Sequence, residues 1–322
     1  MKKGCRVSDL RDVRILVTGA AGVIGRETLR LLGVRGADVL SVDREALQDA
    51  DLGGVRHLRL DLADDDLSEL MSFDPHVVLH LAAAFERSKE SLGFWPVNWH
   101  DNMVCAHRVV DLAAGLRNLR VFVFASSYLI YDPCLYIGDD SVRTATRLRE
   151  IDPQSTRNVT GAAKLYTEAE VDFLEEYMNS EVRMVKPRIY RSYGCGSRDV
   201  VSRWIRAAIS GEPVELYNGT NRFDYVFAGD VAEGLVRMAE CDSAEGVINL
   251  ATGAARSVHD LVAAVDREFP GFANRLDDRG GTDEYEHSCA DVNHLRAVLG
   301  WVPPTTLEEG VAMIAAYERV KA

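Results

Sequence analysis

At 322 residues the chain exceeds the ~250–300 at which a single hydrophobic core usually stops growing, so one large domain with a smaller companion is expected. Hydrophobic residues at 47% and charged residues at 27% are those of an ordinary globular protein. A net charge of −13 argues against a nucleic-acid partner, whose affinity comes from Lys and Arg neutralising phosphates; any anionic ligand must be held by a local group of arginines.

The six cysteines (Cys5, Cys105, Cys134, Cys195, Cys241, Cys289) are widely spaced and form no Cys-x-x-Cys pair. That disfavours a metal site and predicts reduced thiols in a cytoplasm. The basic residues 1–10 lack an apolar stretch, so no signal peptide is expected. No apolar run approaches the ~18 residues of a membrane span.

Residues 13–17 are apolar apart from Arg14, and they lead into Thr18-Gly19-Ala20-Ala21-Gly22-Val23-Ile24-Gly25 and a helix-like segment, 26–32. Strand, glycine turn and helix in that order make a phosphate site. Gly19 takes a tight turn closed to residues with a Cβ. Gly22 lets backbone approach a pyrophosphate at a helix N-terminus with its positive dipole end. Gly25 allows the helix to pack closely on the sheet. A second strand, 37–42, ends at Asp43, placed for the adenosine ribose hydroxyls. A carboxylate there repels a 2′-phosphate and favours NAD over NADP, although Arg44 beside it dissents.

Further along, Asp61 closes a short strand before Leu62, within reach of the adenine amino group, and 64–66 is an acidic helix start. Residues 76–84 read as a buried strand whose small end, Ala82-Ala83-Ala84, leaves room for a cofactor; His80 within it is expected to be a packed structural histidine. A long helix is expected over 96–115. The strand 120–125 is apolar without alternation and runs into Ser126-Ser127-Tyr128-Leu129-Ile130-Tyr131. Polar groups at that position lie in the crevice where open α/β sheets bind ligands. Helices follow over 156–178, 204–209, 230–238 (capped by Asp230), 257–269 and 307–320, with strands over 182–186, 223–227 and 247–250. Strands alternating with helices predict an α/β fold, a doubly wound parallel sheet.

Together these stretches resemble the extended short-chain dehydrogenase/reductases, in particular the nucleotide-sugar epimerase/dehydratase family. The resemblance rests on Thr18 to Gly25, Asp43, Asp61-Leu62, His80-Leu81-Ala82-Ala83, Asn102, Ser126-Ser127 with Tyr131, Lys164, Tyr193-Gly194 and Arg222-Phe-Asp-Tyr-Val-Phe-Ala-Gly-Asp230. It implies a Rossmann domain over 1–187 plus 225–252 and a smaller α/β substrate domain over 188–224 plus 253–322. It further implies that NAD is bound by Gly19, Ala21, Gly22, Val23, Ile24, Gly25, Asp43, Asp61, Leu62, Leu81, Ala82, Ala83, Asn102 and Lys164.

In that family a Tyr-x-x-x-Lys pair and a nearby Ser or Thr carry the proton chemistry. Lys164 matches the Lys and Ser127 the Ser, but Thr160 stands at the Tyr position. The departure matters. A phenol near pKa 10 costs about 4 kcal/mol to ionise at neutral pH, whereas an alcohol near water's ~15.7 costs about 12 kcal/mol. Thr160 therefore orients or relays a proton but is no base. Tyr128, Tyr131 and Lys164 are the candidates to replace the phenol, with Tyr128 preferred. Tyr166 is set aside because two residues beyond Lys164 it points ~200° around the helix.

The resemblance also places Arg191 and Arg222, from a group that includes Arg188 and Arg198, near a substrate diphosphate, with Ser88 and Tyr193 bordering the sugar. The implied activity is NAD-dependent epimerisation of a nucleotide-diphosphate sugar through a 4-keto intermediate, an isomerase rather than a lyase or oxidoreductase. Tyr128 and Leu129 stand where the family's dehydratases place Asp and Glu, which disfavours dehydration. The alternatives are a dehydratase or reductase of the same family and a non-catalytic NAD-binding protein. A cytoplasmic homodimer, pairing through helices 96–115 and 156–178, completes the expectation; neither membrane nor metal enters it.

Overall fold

The computed structural model describes residues 9–47, 55–86, 90–141, 143–178, 182–281 and 284–321. Its centre is an eight-stranded sheet in which every pairing is parallel. Seven strands are β1 (Arg14–Thr18), β2 (Asp38–Asp43), β3 (Arg56–Arg59), β4 (Val77–His80), β5 (Val121–Phe124), β6 (Arg183–Ile189) and β7 (Gly246–Leu250), in the order β7-β6-β5-β4-β1-β2-β3. The two-residue strand Ser126–Ser127 adds to β6 beyond the end of β5.

The order reverses between β1 and β4, whose ends Thr18 and His80 are register partners. That switch point opens a crevice at the carboxyl ends of the strands. β1, β4 and β5 are buried on both faces, which is why they read as apolar runs without alternation. One core covers each face of the sheet, the first around Ile15, Val17 and Val123 and the second around Leu16, Val78 and Phe122.

Helix α1 (Val23–Val34) turns Gly25, Thr28, Leu29 and Leu32 inward, at the spacing of an amphipathic helix. The expected helix over 96–115 is three pieces: Phe94–Asn98, a π-helical turn Trp99–Val104, and α2 (Cys105–Gly115). The wide turn sits where the Asn102 side chain leaves the helix to bond the Ala84 backbone, and such turns recur at functional sites. Helix α3 (Val159–Tyr177) is capped by Asn158, whose Oδ1 accepts from Gly161 N at 2.8 Å. Helix α4 (Ala228–Glu240) starts two residues before Asp230, so Asp230 is not its cap; its Oδ2 accepts from Thr305 N at 2.9 Å instead.

A third core, with Trp204, Phe223, Tyr225, Leu261 and Ile314, lies around a small sheet of Arg191–Tyr193, Arg222–Phe227 and Ala255–Ser257. No helix among the described residues is long and apolar enough to cross a membrane. Cys105, Cys134, Cys195 and Cys289 are free thiols, but Cys241 is disulfide-bonded, against the expectation of reduced thiols throughout.

Candidate functional site

The crevice is bounded on one side by the glycine turn. Gly19 has φ +70°, and a Cβ added there would lie 2.6 Å from Ala82 N, so turn and β4 end are in direct backbone contact. A Cβ on Gly25 would lie 2.3 Å from the Gly19 carbonyl oxygen. No side chain caps α1, whose N-cap is Gly22, and its N-terminal N–H groups are left to face the turn. This is a cradle for an anion built from backbone, and it fits the pyrophosphate of a dinucleotide. Ala21 lies in the turn, and Val23 and Ile24 open α1, which begins three residues before the expected 26. Arg26, which sequence reasoning passed over, donates from Nη1 to the Ala21 carbonyl and braces the turn. Its position directly after Gly25 was the available signal.

Asp43 ends β2 with Oδ2 accepting from Ala21 N at 2.9 Å, beside the cradle. Asp61 lies past β3, which ends at Arg59; its Oδ1 turns back to Ala63 N at 2.9 Å and Leu62 beside it is buried. At the β4 end, Thr18 Oγ1 accepts from Leu81 N and Ala82 N, both at 3.2 Å, while Ala83 is exposed. Asn102 does not face the crevice with a free amide. It clamps Ala84, accepting from its N at 2.7 Å and donating to its O at 2.8 Å, and so shapes the wall. His80 pairs with Thr18 Oγ1 at 2.7 Å; burial, helped by the nearby Lys164 ammonium, pushes it down to about 3 and keeps it neutral. It is a packed histidine, as its sequence context indicates.

Beyond β5 the site becomes a set of side chains. Ser127 is half-buried, with Oγ accepting from Leu129 N at 3.2 Å. Lys164 is buried on α3, and its Nζ donates to the Ala125 carbonyl at 2.8 Å and lies 4.7 Å from the Phe124 ring centroid. Among the described residues no carboxylate pairs with it, and burial pushes it down to about 8. Thr160 lies one turn earlier on the same buried face. Its hydroxyl donates to Glu90 Oε1 at 2.5 Å, and the same carboxylate accepts from Val159 N at 2.8 Å and Thr160 N at 3.2 Å. Glu90 was missed because nothing in its local sequence announces a partner 70 residues away.

Tyr128 departs from expectation. Its hydroxyl donates to Glu286 Oε1 at 3.0 Å, its ring stacks on Tyr190, and burial pushes the phenol up to about 12. A phenol that donates to a carboxylate is held protonated, so the geometry argues against a Tyr128 base. Tyr131 is also excluded: fully buried, it donates to Asn249 Oδ1 at 2.7 Å. Tyr166 is exposed on the far side of α3.

Glu286 itself is buried. Burial alone would raise its pKa, but the Arg191 and Arg157 guanidiniums outweigh that and hold it below the usual range. Arg191 donates to it at 3.3 Å, stacks 3.6 Å over Phe223, and keeps a buried Nε with no partner among the described residues. The other arginines separate. Arg188 is fully buried and paired to Glu168 at 2.8 Å, which removes it from any substrate. Arg198 and Arg222 are exposed and lack ion-pair partners among the described residues. Tyr193 is buried against Tyr225, Phe227 and Gly310 in the third core, so it does not border a sugar. Ser88 lies outside the described residues.

Known proteins are similar to this chain over most of its length. The chain is 29% identical over 329 residues to the UDP-glucose 4-epimerase of Mycolicibacterium smegmatis, covering 96% of this chain and 99% of that one. It is 24% identical over 313 residues to UDP-glucuronic acid decarboxylase 2 of Arabidopsis thaliana, covering 94% of this chain and 68% of that one. Among solved structures, MoeE5 in complex with UDP-glucuronic acid and NAD is similar with TM-score 0.83 at 29% identity, over 96% of this chain and 100% of that one. A family model also matches residues 15–251, from β1 through the glycine turn and Lys164 to just past β7. A match of that extent fixes the kinship: the chain belongs to the NAD dependent epimerase/dehydratase family.

Proposed function

We propose that the protein epimerises a nucleotide-diphosphate sugar, with Lys164 carrying the proton that the family's tyrosine would otherwise carry. The observation behind this is the Lys164 ammonium, buried without a carboxylate partner among the described residues and bonded to the Ala125 carbonyl just before Ser126 and Ser127. NAD, when bound, supplies a hydride acceptor and then a donor. Lys164 in its neutral form keeps one N–H on Ala125 and presents a lone pair. That lone pair takes the proton from the sugar hydroxyl as its carbon is oxidised, and returns it after the sugar has turned. Ser127 holds the reacting oxygen, while Thr160, tied to Glu90, orients the N-terminus of α3.

Arg222 and Arg191 are proposed to hold the diphosphate, as guanidiniums suit phosphate oxygens. The nucleotide sugars in the names of the relatives, UDP-glucose and UDP-glucuronic acid, support uridine as the base. We assign the cofactor to residues 1–187 with 225–252 and the sugar to 188–224 with 253–322. Cytoplasmic placement is supported by the four free thiols and opposed by the disulfide at Cys241. A homodimer is supported by an exposed stripe on α3, Ala162, Tyr166, Ala169, Phe173 and Tyr177. Phe173→Glu should then yield monomers in light scattering.

Incubation of the protein with NAD and UDP-glucose, UDP-galactose or UDP-glucuronic acid, followed by chromatography of the nucleotide sugars, tests the reading. Interconversion of one C4 pair without net NADH supports it. Loss of carbon dioxide or of water would assign another reaction of the family. The missing phenol at Thr160 favours a second reading, a non-catalytic NAD-binding protein, which predicts tight binding of both ligands with no turnover.

A further inference from the structure

Past the end of β2, the Arg44 guanidinium lies flat against Asp101, with Nη1 to Oδ1 at 3.0 Å and Nη2 to Oδ2 at 2.8 Å. A second carboxylate, Asp61, is 3.5 Å from Nη1. Asp101 comes from the π-helical turn, 57 residues away in sequence, and also accepts from or shares a proton with His100 Nδ1 at 2.7 Å. Asp64 meets the other nitrogen of His100 at 3.1 Å, and Arg59 Nε donates to the Arg44 carbonyl. The ribose end of the cofactor site therefore carries Asp43, Asp61, Asp64 and Asp101; of the two guanidiniums beside Asp43, Arg44 is held by Asp101, and Arg59, the register partner of Asp43, donates through Nε to the Arg44 carbonyl.

An arginine near the end of this strand is the ordinary partner of the 2′-phosphate that distinguishes NADP, a group with about two negative charges at neutral pH. We propose that Asp101 determines cofactor choice as a positioning residue: by binding Arg44 bidentately it denies NADP its phosphate partner, so that selectivity for NAD rests on the pair Asp43 and Asp101, not on Asp43 alone. A bidentate guanidinium–carboxylate pair is both directional and stronger than a single neutral hydrogen bond, which makes it a lock and not merely a charge. The inference rests on NAD occupying the β1–β4 crevice and is independent of which sugar is turned over.

The test is displacement of NADH fluorescence from the full-length loaded protein by NAD and by NADP. Asp101→Asn should strengthen NADP binding roughly tenfold, the worth of one charge-assisted contact, and leave NAD within about threefold. Asp101→Glu should keep the parent selectivity. Adding Arg44→Ala to Asp101→Asn should cancel the gain. Unchanged NADP binding in Asp101→Asn, in a protein whose melting shows it folded, overturns the proposal. So does a gain that persists without Arg44, because the effect would then be bulk charge. Failure of NADH to bind the parent protein at all would instead overturn the cofactor site itself.

Discussion

The two ends of the crevice are built from different material. At the cofactor end the contacts are backbone: Gly19 against Ala82, Gly25 against the Gly19 carbonyl, and an uncapped helix start. Beyond β5 they are side chains: Glu90 on Thr160, Lys164 on the Ala125 carbonyl, and Arg157 and Arg191 on Glu286. A backbone cradle tolerates no extra atom but is indifferent to most side chains. A side-chain cluster can lose one member, such as the phenol replaced by Thr160, and be rebuilt from others. Divergence of activity on a common cofactor site is the expected consequence.

Each end can be perturbed separately. The largest effect is expected at Lys164: Lys164→Met should lower turnover about 10³-fold, within the range for a lost general base, while both ligands still bind. Its pH dependence follows from the neutral form being the base. kcat/KM should rise with pH and level off above about 8, the value to which burial lowers Lys164. The same depression links to folding with a definite sign. The charged form is penalised only in the folded state, so stability should increase as pH rises from about 8 towards the unfolded lysine's ~10.4.

At the other end, Gly25→Ala places a methyl 2.3 Å from a backbone oxygen. Overpacking of this kind costs about 1–3 kcal/mol, and NAD affinity should fall up to ~100-fold in a fluorescence titration. Glu286→Gln acts on the side-chain end alone, because it strands two guanidiniums without touching the cofactor. Breaking a buried pair costs up to about 3–5 kcal/mol, and the partial exposure of Arg157 and Arg191 reduces this to roughly 2 kcal/mol in denaturant unfolding. Since Glu286 is held below the ordinary carboxyl range, the stability it contributes is complete above the unfolded pKa of ~4.3 and is lost as pH falls through the lower folded value. The parent and variant curves should converge in acid. The smallest effect is expected for Tyr128→Phe, which removes one hydrogen bond to Glu286: about 1 kcal/mol of stability and a turnover within a few-fold of the parent. A loss of a thousandfold there would return Tyr128 to the role of base.

How much of this was legible in the sequence follows the same division. Gly19, Gly22, Gly25 and Asp43 are separated by one turn, one helix and one strand, so spacing alone places them together. The burial of β1, β4 and β5 is visible as apolar runs because covered strands need no polar face. Arg188 reads like a substrate arginine until the fold sets it on β6 facing Glu168, 20 residues away on α3. Tyr193 reads like a pocket tyrosine until Gly310 of the last helix opens room for its ring. Asp230 has the look of a helix cap, but Phe227 at the end of its strand begins α4 early. For Arg188 and Tyr193 the deciding partner lies elsewhere in the chain, and local pattern carries no trace of it.

The central claim is that oxidation and reduction occur at one sugar carbon within a single site, with Lys164 moving the hydroxyl proton. A nucleotide sugar carrying deuterium at C4, turned over in ordinary water and examined by mass spectrometry, tests it most directly. The epimerised product should keep the deuterium at C4. Deuterium lost to solvent, or recovered in NADH free in solution, would contradict it.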